Sequence, residues 1–257
     1  MRFKRLLVGA LGAALLGALP VALASSPAQA GAAPASSVSG GYSSPPDGNG
    51  RWRYGQTIRF EANVMVECTA GSGAFDCAAP DEPGDSVKLQ RRMNGSSTWV
   101  TVATKYDAQS TVQFATRSVG SAVYRLYYSG GTSAGYTASY SGTSPVLKGS
   151  RNPAGRAVKS SGRIYYKGNV DPGWARRYVT IQKANCASCT YRAYKTVKTN
   201  RYGGYTARIA APRTGRWYFR STVRGTSPRF VRGFGNVYYT YQARGRTSAA
   251  GAGMIGH

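Results

Sequence analysis

The sequence predicts an all-β chain of two tandem β-sandwich domains. Three observations lead there. Short alternating segments rich in Tyr, Val and Thr recur between Gly and Pro turn signals, and tyrosine is abundant at 19 copies beside 33 Gly. Beyond the N-terminal segment leucine is scarce, and no helix is expected. One set of sequence blocks also occurs twice, in units of about 90 to 100 residues, which implies two copies of one domain.

Residues 1–30 have the three parts of a cleavable signal peptide. Arg2, Lys4 and Arg5 precede an apolar run from Leu6 to about Ala24, and Ala28-Gln29-Ala30 supplies small residues around a cleavage point. Gly9, Gly12, Gly17 and Pro20 dilute the run, which argues against a membrane anchor. The expected product is secreted, extracellular or cell-wall associated, with no membrane span. It retains 31 Lys and Arg against 9 Asp and Glu, a net charge of +22.

Residues 31–50 are rich in Gly, Ser and Pro and are expected to be flexible, as is the Gly- and Ala-rich tail 243–257. Between them the repeat aligns in three blocks. Ile58, Phe60, Asn63 and Val64 match Ile164, Tyr166, Asn169 and Val170; Val87–Arg92 matches Val179–Ala184; and Trp99–Gly130 matches Tyr194–Gly225 without a gap. The first domain is expected over 51–148, a linker over 149–155 containing Pro153, and the second domain over 156–242. The first copy is 14 residues longer between Val64 and Val87, and the second 3 longer ahead of Tyr194.

Alternation assigns the strand faces. Arg163-Ile164-Tyr165-Tyr166-Lys167 turns Ile164 and Tyr166 inward, and Arg216-Trp217-Tyr218-Phe219-Arg220 does the same with Trp217 and Phe219. The outward side is basic. Each insertion holds a cysteine pair, so disulfides are expected at Cys68 with Cys77 and at Cys186 with Cys189. A redox role for Cys186-Ala187-Ser188-Cys189 needs a helix N-terminus to acidify a thiol, and here the motif interrupts a strand hairpin.

Tyr54-Gly55-Gln56-Thr57, Val87-Lys88-Leu89-Gln90-Arg91-Arg92, Trp99-Val100-Thr101-Val102 and Tyr124-Arg125-Leu126 resemble the tandem bacterial immunoglobulin-like domains of secreted actinobacterial proteins. The resemblance spans about residues 50–148 and 155–242. It implies immunoglobulin-like sandwiches that serve as surface modules, adhesins or spacers, without shared catalytic residues. The second copy departs in having Tyr194 where Trp is usual, and the first in its long loop.

The residue inventory disfavours catalysis. The only histidine is His257, at the end of the tail, so no Ser-His-Asp or Cys-His arrangement has a placed base. No cofactor and no metal site is expected. Asp81, Glu82 and Asp85 lack the Asx spacing of a calcium loop; a Ca2+ ion or a contact with the basic half are the sharper alternatives to a solvated acidic loop. Gly233-Phe234-Gly235 has no following helix to make it a nucleotide loop.

Charge is the strongest hint of a partner. Residues 31–150 carry 10 Lys and Arg against 8 Asp and Glu, net +2, whereas 151–257 carry 21 against the single Asp171, net +20. Solubility alone does not require one copy to be charged and the other nearly neutral. The expected partner is a polyanion, whether an anionic wall glycopolymer, an exopolysaccharide or another, held by Arg163, Lys167, Arg176, Arg177, Arg192, Lys195, Arg216 and Arg220 beside Tyr165, Tyr191, Tyr218 and Tyr239. No nucleic-acid recognition motif is present, so sequence-specific readout is not expected. The competing reading is a spacer or protein-interaction scaffold whose charge serves solubility.

Overall fold

Alternating apolar and polar residues build the long strands. In Thr57–Val66, Ile58, Phe60, Ala62, Val64 and Val66 are buried while Thr57, Arg59 and Glu61 are exposed. Arg163–Asp171 follows the same rule, with Ile164, Tyr166 and Val170 buried. The computed structural model describes residues 35–42, 47, 50–69, 71, 73–75, 77–78, 85–106, 110–131, 136–242 and 250–254. The expected signal peptide, His257, Asp81 and Glu82 lie outside the described residues.

The described residues contain strands and no helix. In the first half these are β1 (Ser36–Tyr42), β2 (Trp52–Arg53), β3 (Thr57–Val66), β4 (Cys77–Ala78), β5 (Ser86–Met93), β6 (Val100–Tyr106), β7 (Thr111–Arg117), β8 (Ala122–Tyr128), β9 (Ser139–Tyr140) and β10 (Gly149–Ser150). The second half contributes β11 (Asn152–Ser160), β12 (Arg163–Asp171), β13 (Tyr178–Ala184), β14 (Arg192–Lys198), β15 (Gly204–Ile209), β16 (Arg216–Val223), β17 (Gly233–Phe234), β18 (Tyr238–Gln242) and β19 (Ala250–Met254).

Among the described residues these strands form five open sheets. In the first half β3 is flanked by β1 on one side and by β7 and β4 on the other, and a second sheet runs β6-β5-β8-β9. In the second half a three-stranded sheet runs β11-β12-β15, and a six-stranded sheet runs β14-β13-β16-β18-β19 with β17 on β16. A short parallel pair, β2 with β10, is the fifth. Each half has its own core. Ile58, Phe60, Val64, Leu89, Tyr124, Leu126 and Trp52 belong to the first, and Ile164, Tyr166, Val179, Ile181, Phe219 and Trp174 to the second.

Local details recur at matching sequence blocks. The register slips by one residue between Leu89 and Gln90 on β5 against β6, and between Ile181 and Gln182 on β13 against β14. Both expected disulfides are present, with Cα atoms 5.5 Å apart for Cys68–Cys77 and 5.1 Å for Cys186–Cys189.

The structure corrects three expectations. The segment 31–50, expected to be flexible, contains β1, which pairs along β3 from Ser36 opposite Val66 to Tyr42 opposite Phe60. Its affinity for the sheet is main-chain hydrogen bonding plus the burial of Val38, and Gly40, at φ 140°, lies where a Cβ would strike the Glu61 carbonyl. The tail likewise contains β19, paired with β18 from Ala250 opposite Gln242 to Met254 opposite Tyr238. The expected linker 149–155 is almost wholly strand, split between β10 and β11.

That strand character locks the halves together. Val231 N donates to Gly149 O at 2.9 Å and Ser121 N to Arg229 O at 2.7 Å, while Asn94 Nδ2 donates to Pro228 O at 3.1 Å. Arg53 Nη1 reaches Asn236 Oδ1 at 2.6 Å. On the second-half side of this junction, Arg151 lies between the aromatic rings of Trp174 and Phe230, 4.7 and 4.2 Å from their centroids, and donates to Pro172 O and Thr226 Oγ1.

Candidate anion-binding face

Strand β16 sets the face. Because Phe219 is buried, the alternation of Arg216-Trp217-Tyr218-Phe219-Arg220 turns Arg216, Tyr218 and Arg220 to the outside of the six-stranded sheet. Register then brings Gln182 of β13 opposite Arg220, and Tyr239 and Tyr241 of β18 opposite Tyr218 and Arg216. The Arg220 guanidinium lies 4.2 Å from the Tyr191 ring centroid and 4.4 Å from that of Phe234, and Arg51 lies 5.0 Å from the same Phe234 ring. Arg216 sits 4.7 Å over Tyr239, which neighbours Tyr218 and Tyr241 at 6.1 Å each. Gly253 makes room for the Tyr239 ring, since a Cβ there would collide with it.

The arginines are held without being neutralised. Arg220 Nε donates to Gln182 Oε1 at 2.8 Å, and its Nη atoms make no hydrogen bond among the described residues. Burial lowers the Arg220 pKa below the ordinary arginine value, Tyr191 opposes that shift, and the like charge of Arg51 adds to it. Burial pushes the Tyr191 phenol up while Arg220 opposes. Arginine stays protonated even so, because its reference value is so high. Arg216 and Arg220 form no ion pair among the described residues, and Asp171, the one carboxylate of 151–257, accepts instead from Asn169 Nδ2 at 3.1 Å. A guanidinium stacked on a ring keeps its N–H edge free, and that edge fits phosphate, sulfate or carboxylate oxygens in pairs.

The eight basic residues expected to form one site fall in separate places. Arg163 and Lys167 are exposed on β12 of the three-stranded sheet, with Lys167 5.5 Å over Tyr165. Arg176 and Arg177 occupy the turn before β13, where Arg177 lies 5.0 Å over Trp174. Arg192 and Lys195 are exposed on edge strand β14, but they pair with Lys183 and Ile181, which puts them on the side opposite Gln182 and Arg220. Only Arg216 and Arg220 share the face, with Tyr191, Tyr218 and Tyr239.

Sequence reasoning missed Arg51, Phe234 and Tyr241. Arg51 belongs to the first half, and no local pattern ties it to β17. The Gly233-Phe234-Gly235 triplet, unconvincing as a nucleotide loop, instead supplies the ring between two arginines. Of the acidic cluster, Asp85 is described: it is buried and accepts from Tyr128 Oη at 3.3 Å. Among the described residues no group of three or more His, Cys, Asp and Glu is arranged to hold a metal ion.

No protein-family model matches the chain, and no curated protein matches it significantly in sequence. Among the described residues no helix is long and apolar enough to cross a membrane.

Proposed function

We propose that the chain is a secreted, non-catalytic binding protein of two tandem immunoglobulin-like sandwiches, whose second half attaches electrostatically to an anionic cell-envelope or matrix polymer. The observation that carries this reading is Arg220, fixed by Gln182 between Tyr191 and Phe234, with its outer N–H groups unengaged and without an ion pair among the described residues. The paired sheets around separate cores support the sandwich architecture, and the matched register slips at Gln90 and Gln182 support its duplication. Secretion rests on the three-part N-terminus and agrees with two disulfides.

The test is retention of the full chain on heparin and on purified anionic wall polymer. Counterion release makes such binding fall steeply between about 50 and about 200 mM salt. Arg216→Ser with Arg220→Ser is expected to weaken it at low salt. Binding to envelope material that ignores both salt and these substitutions favours the scaffold reading instead, for which the hydrogen-bonded junction between the halves is the supporting observation.

A further inference from the structure

The first half carries an arginine-aromatic face of the same construction, which its near-neutral net charge conceals. On the outer side of the β6-β5-β8-β9 sheet, Lys88, Gln90 and Arg92 of β5 stand opposite Tyr127, Arg125 and Val123 of β8. Arg125 Nε donates to Gln90 Oε1 at 2.8 Å, the counterpart of the Arg220–Gln182 bond. The Arg125 guanidinium lies 4.3 Å from the Trp99 ring centroid and 4.2 Å from that of Tyr140, and its Nη atoms make no hydrogen bond among the described residues. Arg92 adds a second guanidinium at 5.0 Å from Trp99, and Lys88 lies 5.6 Å from Tyr127. Tyr140 remains 55% exposed, so the face is open to a ligand.

The acidic residues of this half that the structure describes lie elsewhere. Glu61 is on β3 of the other sheet, Glu67 caps the loop after it, Asp47 bonds the Arg51 backbone and lies 4.0 Å from Arg53, and Asp85 is buried. Among the described residues, then, the charge of this face is wholly positive.

We propose that this face is a second binding face for an anionic polysaccharide, so that one chain grips the polymer at two places. The inference rests on the reading of the second half given above and extends it to the first. Charge complementarity names an anion, and the ring arrangement selects a glycan over a nucleic acid. Base stacking needs free aromatic faces, whereas Trp99 and Tyr140 here are covered by guanidiniums and Tyr127 meets Tyr140 at a tilt of 42°. What remains on offer is guanidinium edges, ring edges and phenol hydroxyls, which suit the acid and hydroxyl groups of a sugar chain. Two faces on one long polymer gain avidity without any new contact.

Calorimetry on the full chain distinguishes the outcomes, using short heparin oligosaccharides and long heparin as probes. The expected stoichiometry is two short oligosaccharides per wild-type chain, one after Arg125→Ser with Tyr140→Ser, and one after Arg220→Ser with Tyr239→Ser. Losing either face is expected to weaken long heparin by about 100-fold. Lys88→Ser with Arg92→Ser spares the Arg125 stack, and its weaker oligosaccharide binding checks the result should the first variant unfold. One oligosaccharide per wild-type chain, abolished from the second half and unmoved by the first-half variants, overturns the second face and leaves the proposed function standing. No heparin binding by the wild type at low salt overturns both. Tighter binding of single-stranded DNA than of heparin at equal salt overturns the choice of glycan.

Discussion

Gln182 accepts a 2.8 Å hydrogen bond from Arg220 Nε and so fixes which edge of the guanidinium faces outward. The residue acts by positioning, because it leaves both Nη atoms for a ligand. Gln182→Leu is expected to weaken heparin binding by about three- to tenfold, the net worth of one ordinary hydrogen bond, since the Arg220 charge itself is kept. Gln182→Glu is expected to weaken it more, since a carboxylate there pairs with Arg220 and cancels its charge, while thermal stability holds or rises slightly. A filter-binding series on the two variants, with melting curves alongside, reads both effects; Glu binding as well as wild type would exclude Arg220 from the ligand contact.

Arg151 is expected to matter for stability. It lies between Trp174 and Phe230 at the junction of the halves and satisfies the Pro172 carbonyl and Thr226 hydroxyl. Burial lowers its pKa, and Arg177 and Arg229 add to the effect. Arg151→Ala removes the stacked stem and both hydrogen bonds and is expected to cost about 2 kcal/mol in urea unfolding. Arg151→Lys is expected to recover little of that, because a point ammonium cannot stack flat and make both bonds. Full rescue by Lys would show that charge alone is at work.

Alternation makes the strands around Arg163–Lys167 and Arg216–Arg220 legible in the sequence, as cysteine spacing does the disulfides. It cannot reveal β1 or β19, whose Ser, Gly and Ala carry no apolar period and which join their sheets through main-chain bonds. Arg192 and Lys195 show a subtler limit. The bulge on β14 leaves Tyr194 unpaired, so Ala193 and Lys195 face opposite sides although they are two residues apart. Net charge is blind in another way: a sum over the first half mixes the basic outer face of β5 and β8 with acids on β3 and in loops. Arg51 beside Phe234 needed the folded junction, because no sequence pattern joins distant halves of a chain.

Glu67 predicts an acid-sensitive anchor for β1. Its carboxylate accepts from Ala35 N at 3.1 Å, Gly71 N at 3.1 Å and Gly73 N at 2.8 Å, and these bonds hold its pKa below the ordinary carboxylate value. A depressed folded-state pKa contributes stability that is complete above the unfolded value of about 4.3 and is lost as pH falls through the folded value. The protection of the β1 amides, exchange corrected for its intrinsic pH dependence, is therefore expected to fall below about pH 4. In Glu67→Gln the exchange is expected to be faster at neutral pH and to lose this acid step. An unchanged acid step in that variant would assign it to another group.

At the alkaline end the sign reverses. The Tyr166 phenol is fully buried and donates to Asn236 O at 3.2 Å, and burial raises its pKa to about 12. Tyr205 stacks on it at 6.3 Å and is raised as well, again chiefly by burial. A tyrosine raised in the folded state contributes stability that is fully present below the unfolded value of about 10 and is lost as pH rises through the folded one. Unfolding free energy is thus expected to fall between about pH 10 and 12, by up to about 1.4 kcal/mol per pH unit for each such phenol. Urea unfolding at stepped pH, followed by phenolate absorbance, reads the slope directly. Tyr166→Phe is expected to flatten it by one phenol's share; a slope that does not change would mean that Tyr166 ionises in the native protein without resistance from its surroundings.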